Sequence, residues 1–347
     1  MKQASVSVSL ILPLRQHLTH QVMDGLNSTL SRYADMSIRL LWPVLVFVVI
    51  LFVLGFLGNC LVLYIYHRHM APTMYGLFVK SLATLDLFSI CVCLPTSFYF
   101  TFFTRSNNTP HMCKFITFMS NFTTVTSGIL LSIIAYERYR KVCHPLASQI
   151  TQSLAKKLFL GGSIIVLMLS IPVLLTVGDS HKKLHLGNDS IELPGCDYQE
   201  KFKQNGNALI LLIILSIWYI GIAAFMGILY GIIGRTLHQH KKQHRDTIQR
   251  KVIPTKIFFI LTIVYLVCVS PMMAFPLFTT LRPNFNDLSF TKMMLVNLVW
   301  YFPHVNAVAN PFIYSFSSKL FREKCRHILC CHEVVGVTKR TRTLRVQ

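Results

Sequence analysis

Long uninterrupted apolar stretches dominate the pattern of the chain. Seven of them approach or exceed ~20 residues, the length that a helix needs to cross the hydrocarbon core of a bilayer. They are residues 40–66, 74–103, 115–136, 158–177, 208–234, 257–280 and 293–318. The stretches are continuous and lack an alternation of period two, so they indicate helices and not the strands of a membrane barrel. The pattern predicts an all-α membrane protein, a bundle of seven transmembrane helices.

Composition and charge support a membrane protein and set its orientation. Of the 347 residues, 53% are hydrophobic and 14% are charged, which is too apolar for a soluble domain of this size. Most of the 34 Lys and Arg residues fall on the inner side if the C-terminus is cytoplasmic. This bias predicts an extracellular N-terminus and a cytoplasmic C-terminus. The net charge of +21 then reflects topology and lipid headgroups, and nothing in it points to nucleic acid.

The chain is predicted to consist of three parts. Residues 1–39 are predicted to form an extracellular tail, residues 40–318 the transmembrane domain, and residues 319–347 a cytoplasmic segment. Apolar residues alternate with Lys and Arg over residues 318–329, which predicts a short amphipathic eighth helix on the membrane. The pair Cys330-Cys331 would then be palmitoylated. A zinc site that also uses Cys325, His327 and His332 is a minor alternative.

Glycosylation sequons agree with this topology. Three of them begin at Asn27, Asn107 and Asn188, and all three lie outside in the predicted orientation. A fourth begins at Asn121, within the third span, where modification is not expected. The three outer asparagines are therefore predicted to be glycosylated.

Polar and small residues interrupt the apolar spans at four short motifs. They are Gly58-Asn59, Leu82 to Asp86, Glu137-Arg138-Tyr139 and Asn310-Pro311-Phe312-Ile313-Tyr314. Asp86 is the only acidic residue well inside any span, and a carboxylate at that depth is costly unless it is paired or hydrated. Considered singly, the glycine can serve close helix packing, and the basic end of the third span is an ordinary membrane flank.

Together, and in this order, the four motifs resemble the signatures of rhodopsin-like G-protein-coupled receptors. The resemblance covers all seven spans, and residues 137–146 are similar to the corresponding motif of many invertebrate neuropeptide receptors. It implies a plasma-membrane receptor that signals through heterotrimeric G proteins by outward movement of helix six. The residues implied in coupling and switching are Glu137, Arg138, Tyr139, Tyr230, Pro271, Asn310, Pro311 and Tyr314.

The resemblance also implies roles within this switch. Glu137 would hold Arg138 in the inactive state, and Tyr230 and Tyr314 would approach Arg138 through water in the active state. Pro271 would kink helix six, because proline removes a backbone hydrogen bond.

Two cysteines fall on the outer side. Cys113 precedes Arg138 by 25 positions, about 37 Å along a helix at ~1.5 Å per residue, so the two residues lie on opposite sides of the membrane. The resemblance implies that Cys113 pairs with Cys196 of the second outer loop in the disulfide that this family uses. That loop, residues 178–207, is long and of mixed charge, and it resembles the hairpin lid of peptide receptors.

The resemblance further implies an ion site and a ligand pocket. Asp86, Ser127, Asn306 and Asn310 stand where many of these receptors hold sodium, although an ordered network of water molecules is an equal alternative. No other cofactor is expected.

Biogenic-amine receptors carry an Asp where this chain has Ser120, so an amine ligand is disfavoured. The implied pocket residues are Ser120, Asn121, Thr124, Ile214, Trp218, Met272, Met273, Trp300 and His304.

A mixed apolar and neutral pocket suits a peptide or a lipid tail, and the charged outer loop favours an extracellular peptide. The alternative is a receptor for a lipid or an acidic small molecule. Thr338, Thr341 and Thr343 could be phosphorylated for arrestin.

Two other classes of membrane protein are disfavoured. A transporter would show repeated halves, and a membrane enzyme would show a motif such as His-Glu-x-x-His; neither is present in the sequence.

The chain departs from the family pattern at four positions. Val269 stands where Trp is usual in helix six, Tyr265 where Phe is usual, Gly162 where Trp is usual in helix four, and Ile222 where Pro is usual in helix five. These departures fit a divergent lineage, an unusual switch or a weakly signalling receptor.

Overall fold

The structure, a computed structural model, describes residues 42–103, 110–186, 189–240, 245–281 and 290–329. We number its long helices α1 to α8. The bounds are α1 Trp42–Arg68, α2 Met74–Phe88 continuing through a π-helical turn Ser89–Cys93 into Leu94–Phe103, α3 Pro110–Cys143, α4 Gln152–Thr176, α5 Asn207–His240, α6 Arg245–Leu281, α7 Phe290–Ser317 and α8 Lys319–Leu329.

Six of these helices, α1 to α6, are long and apolar enough by composition to cross a membrane, within the described residues. Helix α7 is 28 residues long but more polar, because it carries His304, Asn306 and Asn310. These three side chains are buried, with at most 7% of their surface exposed. The polar residues of α7 therefore face the bundle interior, which explains how a less apolar helix serves as the seventh span.

Threonine caps fix the start of two helices at the end of the bundle that carries Arg138, which we call the inner face after the predicted orientation, the opposite end being the outer face. The Thr73 Oγ1 atom accepts a hydrogen bond from the backbone N–H of Gly76 at 3.0 Å, and Thr151 Oγ1 accepts one from Leu154 at 3.2 Å. Such caps satisfy backbone donors that a helix cannot satisfy itself. They define where α2 and α4 begin.

The largest hydrophobic cluster fills the inner half of the bundle and joins α1 to α7 with α8. Phe321 of α8 is 2% exposed, and its ring stacks 6.1 Å from that of Tyr66 in α1. The predicted eighth helix is thus present and is packed against the bundle. A second cluster, which includes Val44, Leu51 and Tyr301, packs α1 against α7 nearer the outer face.

A β-hairpin follows α4 directly. Strand β1, Val177–Leu186, pairs antiparallel with β2, Asp189–Tyr198, from Val177 opposite Tyr198 to Leu186 opposite Asp189. The disulfide Cys113–Cys196 joins β2 to the outer end of α3, with the Cα atoms 5.4 Å apart. The implied disulfide is therefore confirmed, and it fastens the hairpin over the outer end of the bundle.

Several sequence predictions fall outside the described residues and remain predictions. They concern the N-terminal tail, Asn27, Asn107, Asn188, Cys330, Cys331, His332 and the three threonines of the C-terminal segment.

Candidate functional site

A buried ion pair lies near the inner end of α3. Glu137 is 3% and Arg138 4% exposed, and the Arg138 Nε atom donates to one oxygen of the Glu137 carboxylate. Lys141, one turn later, donates to the other oxygen at 3.2 Å. A buried charge without a counter-charge is strongly destabilising. Glu137 thus compensates two cations, one buried and one at the surface.

Phe258 of α6 covers this ion pair. The guanidinium carbon of Arg138 is 5.5 Å from the centre of the Phe258 ring, within the range of a cation–π contact. The same ring is 5.2 Å from that of Tyr75 and 6.1 Å from that of Phe78, both in α2. Nothing in the sequence distinguishes Phe258, because it is one apolar residue within an apolar run. Its position packs the inner part of α6 against α2 and α3.

A cavity of about 180 Å³ lies beside Arg138 at the inner face. Its lining comes from the start of α2, the end of α3 and the inner part of α6, and comprises Thr73, Met74, Tyr75, Arg138, Lys141, Val142, Pro254 and Thr255. The Nη2 atom of Arg138 is buried and has no hydrogen-bond partner among the described residues. Because a guanidinium has five donors, Arg138 retains the capacity to bind an acceptor from outside the chain.

The other implied switch residues lie around this centre. The Tyr139 hydroxyl is 2.9 Å from His144 Nε2, at the exposed rim. Tyr230 packs edge-to-face on Phe259, with ring centres 5.3 Å apart. Tyr314 is fully buried in the large hydrophobic cluster of the inner half of the bundle. Pro271 lies within α6. The structure gathers Glu137 and Arg138 into direct contact and places the two tyrosines in the surrounding core.

The motifs of α1, α2 and α7 meet in the middle of the bundle. Asn310 Nδ2 donates to Asp86 Oδ2 at 2.5 Å, and Asn59 Nδ2 donates to the Ala307 carbonyl at 2.9 Å. A Cβ atom on Gly58 would come within 2.9 Å of Pro311. The glycine therefore permits the close approach of α1 to α7.

A second, much smaller cavity of about 20 Å³, which has room for about one water molecule and which we call the outer cavity, lies between α2, α3, α6 and α7. Its lining residues are Asp86, Ser89, Ser120, Thr123, Thr124, Ser127, Tyr265, Val269, Met272, Trp300, Pro303, His304, Asn306 and Ala307. Asp86, Ser127 and Asn306 share this cavity, and Asn310 bonds to Asp86. The four residues implied in an ion site are thus close together.

The implied ligand pocket is only partly assembled around this cavity. Ser120, Thr124, Met272, Trp300 and His304 line it. Asn121 instead donates from Nδ2 to Ser170 Oγ of α4 at 3.1 Å. Ile214 and Trp218 of α5 are 54% and 37% exposed, and Met273 packs against the inner cluster. These four residues do not line this cavity.

Tyr265, one of the departures from the family pattern, is a structural partner of α3. The Tyr265 hydroxyl donates to the Thr124 carbonyl at 3.1 Å. It fits because Gly128 has no side chain: a Cβ atom there would lie 2.4 Å from the Tyr265 oxygen. Val269 lines the outer cavity one turn further out.

Ion pairs stabilise the segment that connects the hairpin to α5. Lys203 lies in a short helix, Glu200–Gln204. Burial acts to lower the pKa of Lys203, but the carboxylates of Asp197 and Glu200, each 3.2 Å from its Nζ atom, outweigh burial and raise that pKa. Lys203 therefore stays charged and ties this short helix to β2.

Comparison with known proteins identifies the family. Residues 58–314 match the family described as 7 transmembrane receptor (rhodopsin family). The fMet-Leu-Phe receptor of Pongo pygmaeus is 26% identical over 296 residues, which cover 80% of this chain and 81% of that receptor. The growth hormone secretagogue receptor type 1 of Sus scrofa is 24% identical, with 79% of this chain and 77% of that protein covered.

The neuromedin-U receptor 1 of Homo sapiens is 25% identical over 338 residues, which cover 85% of this chain and 76% of that receptor. These three relatives are mammalian, so the similarity is not specific to invertebrate receptors. The family match runs from Gly58 of the first motif to Tyr314 of the last. This chain belongs to the rhodopsin family of seven-transmembrane receptors, and it is a multi-pass plasma-membrane receptor and not an enzyme.

Proposed function

We propose that this receptor binds an extracellular peptide and signals through heterotrimeric G proteins. The observation that carries the proposal is the arrangement at the inner face, where Glu137 and Phe258 enclose Arg138 beside an open cavity. Outward movement of α6 would withdraw Phe258 and widen that cavity. Arg138 would then offer its free donors to the carbonyl groups of an inserted G-protein segment.

The proposed orientation places the N-terminus outside and the C-terminus in the cytoplasm. Support comes from the two ends of the bundle. The disulfide-linked hairpin suits the oxidising extracellular side, whereas Arg140, Lys141 and the basic α8 lie at the opposite end, as the positive-inside bias requires.

A peptide is favoured as the ligand by relatives and by pocket chemistry. One relative is named for the formylated peptide fMet-Leu-Phe, and another for neuromedin-U. We infer a ligand of the neuropeptide type. The side chains around the outer cavity are rich in hydroxyl groups, which suit the polar groups of a peptide better than a lipid tail. Its described lining contains no Lys or Arg, which argues against an acidic small molecule.

An ion site, palmitoylation and arrestin recruitment are proposed from the same family membership. Asp86, with Ser127, Asn306 and Asn310, would hold either a sodium ion or ordered water. Docking of α8 through Phe321 would bring Cys330 and Cys331 to the membrane surface for palmitoylation, and the C-terminal threonines would recruit arrestin once phosphorylated.

The test is a G-protein activation assay in cells that express the full chain. Wild type and Arg138→Ala, matched for surface expression, are exposed to a panel of neuropeptides and formylated peptides and to a panel of lipids. A peptide response that needs Arg138 is expected. A response to lipids alone would overturn the ligand assignment, and a response that survives Arg138→Ala would overturn the coupling role.

A further inference from the structure

The cavity beside Arg138, which we call the inner cavity, carries an excess of positive charge. Arg138 and Lys141 both line it, and its described lining contains no Asp or Glu. Glu137 accepts hydrogen bonds from both cations, but it carries a single negative charge. Among the described ion pairs, one positive charge beside the inner cavity therefore remains uncompensated.

The start of α2 adds backbone donors to the same wall. Thr73, Met74 and Tyr75 line the inner cavity. Thr73 caps the helix by accepting from the N–H of Gly76 at 3.0 Å, whereas the N–H groups of Met74 and Tyr75 belong to the first turn, which has no acceptor inside the helix. The positive end of the helix dipole also lies at this terminus. A long helix that begins beside two cations suits an anion.

One buried donor of Arg138 has no acceptor in the described part of the chain. Only 4% of the Arg138 surface is exposed, and its Nη2 atom makes no hydrogen bond to a described residue. A buried charged donor without an acceptor is costly. A water molecule would satisfy the donor but would leave the excess charge in place. An anion satisfies both.

The inner cavity has room for a tetrahedral anion and is open at its edge. Its volume of about 180 Å³ is more than ten times the ~15 Å³ that one water molecule needs. Thr73 is exposed, and the side chain of Lys141 is 45% exposed. Solvent therefore reaches the cavity between the start of α2 and the end of α3. Met74, Val142 and Pro254 make the rest of the wall largely apolar.

We infer that the inner cavity binds a phosphate group, which is either free phosphate or the headgroup of an anionic lipid. Both offer the same charged acceptor oxygens to Arg138, Lys141 and the start of α2. Because α2, α3 and α6 all line the cavity, a bound phosphate joins them and stabilises the arrangement in which α6 is closed. Its effect on signalling rests on the proposed function, since the phosphate occupies space that a G-protein segment would enter.

The probes are potassium phosphate and dioctanoyl phosphatidic acid, a short lipid whose headgroup is a phosphate monoester. Their references are potassium chloride at equal ionic strength and dioctanoyl phosphatidylcholine, in which choline covers the phosphate. The measurement is the thermal unfolding temperature of the purified full chain in detergent micelles. Inorganic phosphate is titrated only to about 20 mM, because high concentrations stabilise folded proteins in general.

For wild type, at least one probe should raise the unfolding temperature by about 2 °C or more over its reference, since a ligand that binds only the folded state stabilises it. A shift with phosphatidic acid alone would identify a lipid headgroup as the source of the phosphate. A shift with inorganic phosphate would show that the free anion suffices.

Lys141→Ala and Val142→Trp are the decisive variants. The first removes a cation at the mouth of the inner cavity, and the second fills the cavity but keeps every charge. Each should lose at least half of the wild-type shift, and Lys141→Ala decides alone if Val142→Trp does not fold. Lys156→Ala is the matched control, because Lys156 is exposed near the inner end of α4 and does not line the cavity. It should respond like wild type.

Two results would overturn the inference. One is a wild-type chain that neither probe stabilises over its reference. The other is an equal shift for wild type and Lys141→Ala, which would show attraction to the general positive charge of the inner face. Because neither peptide nor G protein takes part, a failure here leaves the proposed function standing, and a receptor without G-protein coupling would leave the phosphate site standing.

Discussion

The guanidinium carbon of Arg138 lies 5.5 Å from the centre of the Phe258 ring, so a residue of α6 covers the cation that α3 buries. Phe258 also packs on Tyr75 and Phe78 of α2. One aromatic side chain thus joins three helices at the inner face. The structure shows the arrangement in which α6 is closed over Arg138.

Replacing Phe258 with alanine should raise basal signalling. The substitution removes a cation–π contact worth about 0.5–2 kcal/mol and the packing that holds α6 against α2. If the substitution lowers the stability of the closed state alone by ~1.4 kcal/mol, the equilibrium between the closed and the open state shifts tenfold. We expect several-fold higher basal nucleotide exchange on a G protein reconstituted with the purified chain. Ile263→Ala is the control, because Ile263 lies on the same helix and is 45% exposed, and equal activation by both variants would argue against a specific role of Phe258.

Glu137 and Lys141 should contribute very differently to stability, although they form one ion pair. Glu137→Gln leaves the buried Arg138 without its counter-charge, which costs about 3 kcal/mol or more. Lys141→Ala removes a partner whose side chain is 45% exposed, and it should cost less than about 1 kcal/mol. Thermal unfolding of the purified variants measures the difference. Similar losses for both would contradict the burial argument.

Gly128 and Tyr265 should show strong coupling. Gly128→Ala would place a methyl group against the Tyr265 hydroxyl, and such overpacking costs about 1–3 kcal/mol. Tyr265→Phe loses the hydrogen bond to Thr124, about 1 kcal/mol, but removes the oxygen that clashes. The double variant should therefore be more stable than the sum of the single effects predicts. Simple additivity in this double-mutant cycle would show that the two residues do not interact.

The Cys113–Cys196 bond should be needed for a folded outer face. Cys196→Ala frees the hairpin from α3, and loss of a native disulfide typically costs 2–5 kcal/mol. Surface expression in cells should fall, and the variant Cys113→Ala/Cys196→Ala should behave no worse than either single change. Cys91→Ala serves as the control, because Cys91 is a free, exposed cysteine. Wild-type expression of Cys196→Ala would refute the structural role.

The apolar pattern predicted the helices well because each span needs a long hydrophobic run whatever its partners are. It predicted their ends less well. Helix α3 runs over Pro110–Cys143, well beyond the apolar run 115–136, because the helix continues past the membrane core at both ends. The family resemblance placed Asp86 and Asn310 in one implied ion site; the hydrogen bond between them agrees with the rule that buried polar groups find partners.

Which way each side chain faces was harder to predict. Trp218 lies on α5, where apolar residues surround the helix and no polar stripe marks the inner face, so its 37% exposure could not be foreseen. Asn121 is polar and central, yet it bonds to Ser170 of α4. Phe258 and the fit of Tyr265 against Gly128 depend on how helices approach each other, which spacing along one helix does not encode.

The most direct test of the proposed switch needs no ligand. It measures basal nucleotide exchange on a reconstituted G protein for wild type, Phe258→Ala and Phe258→Ala/Arg138→Ala, with equal amounts of folded receptor. The account predicts high exchange for Phe258→Ala and a return to the receptor-free rate when Arg138 is also removed. High exchange by the double variant would contradict the claim that opening α6 acts by exposing Arg138.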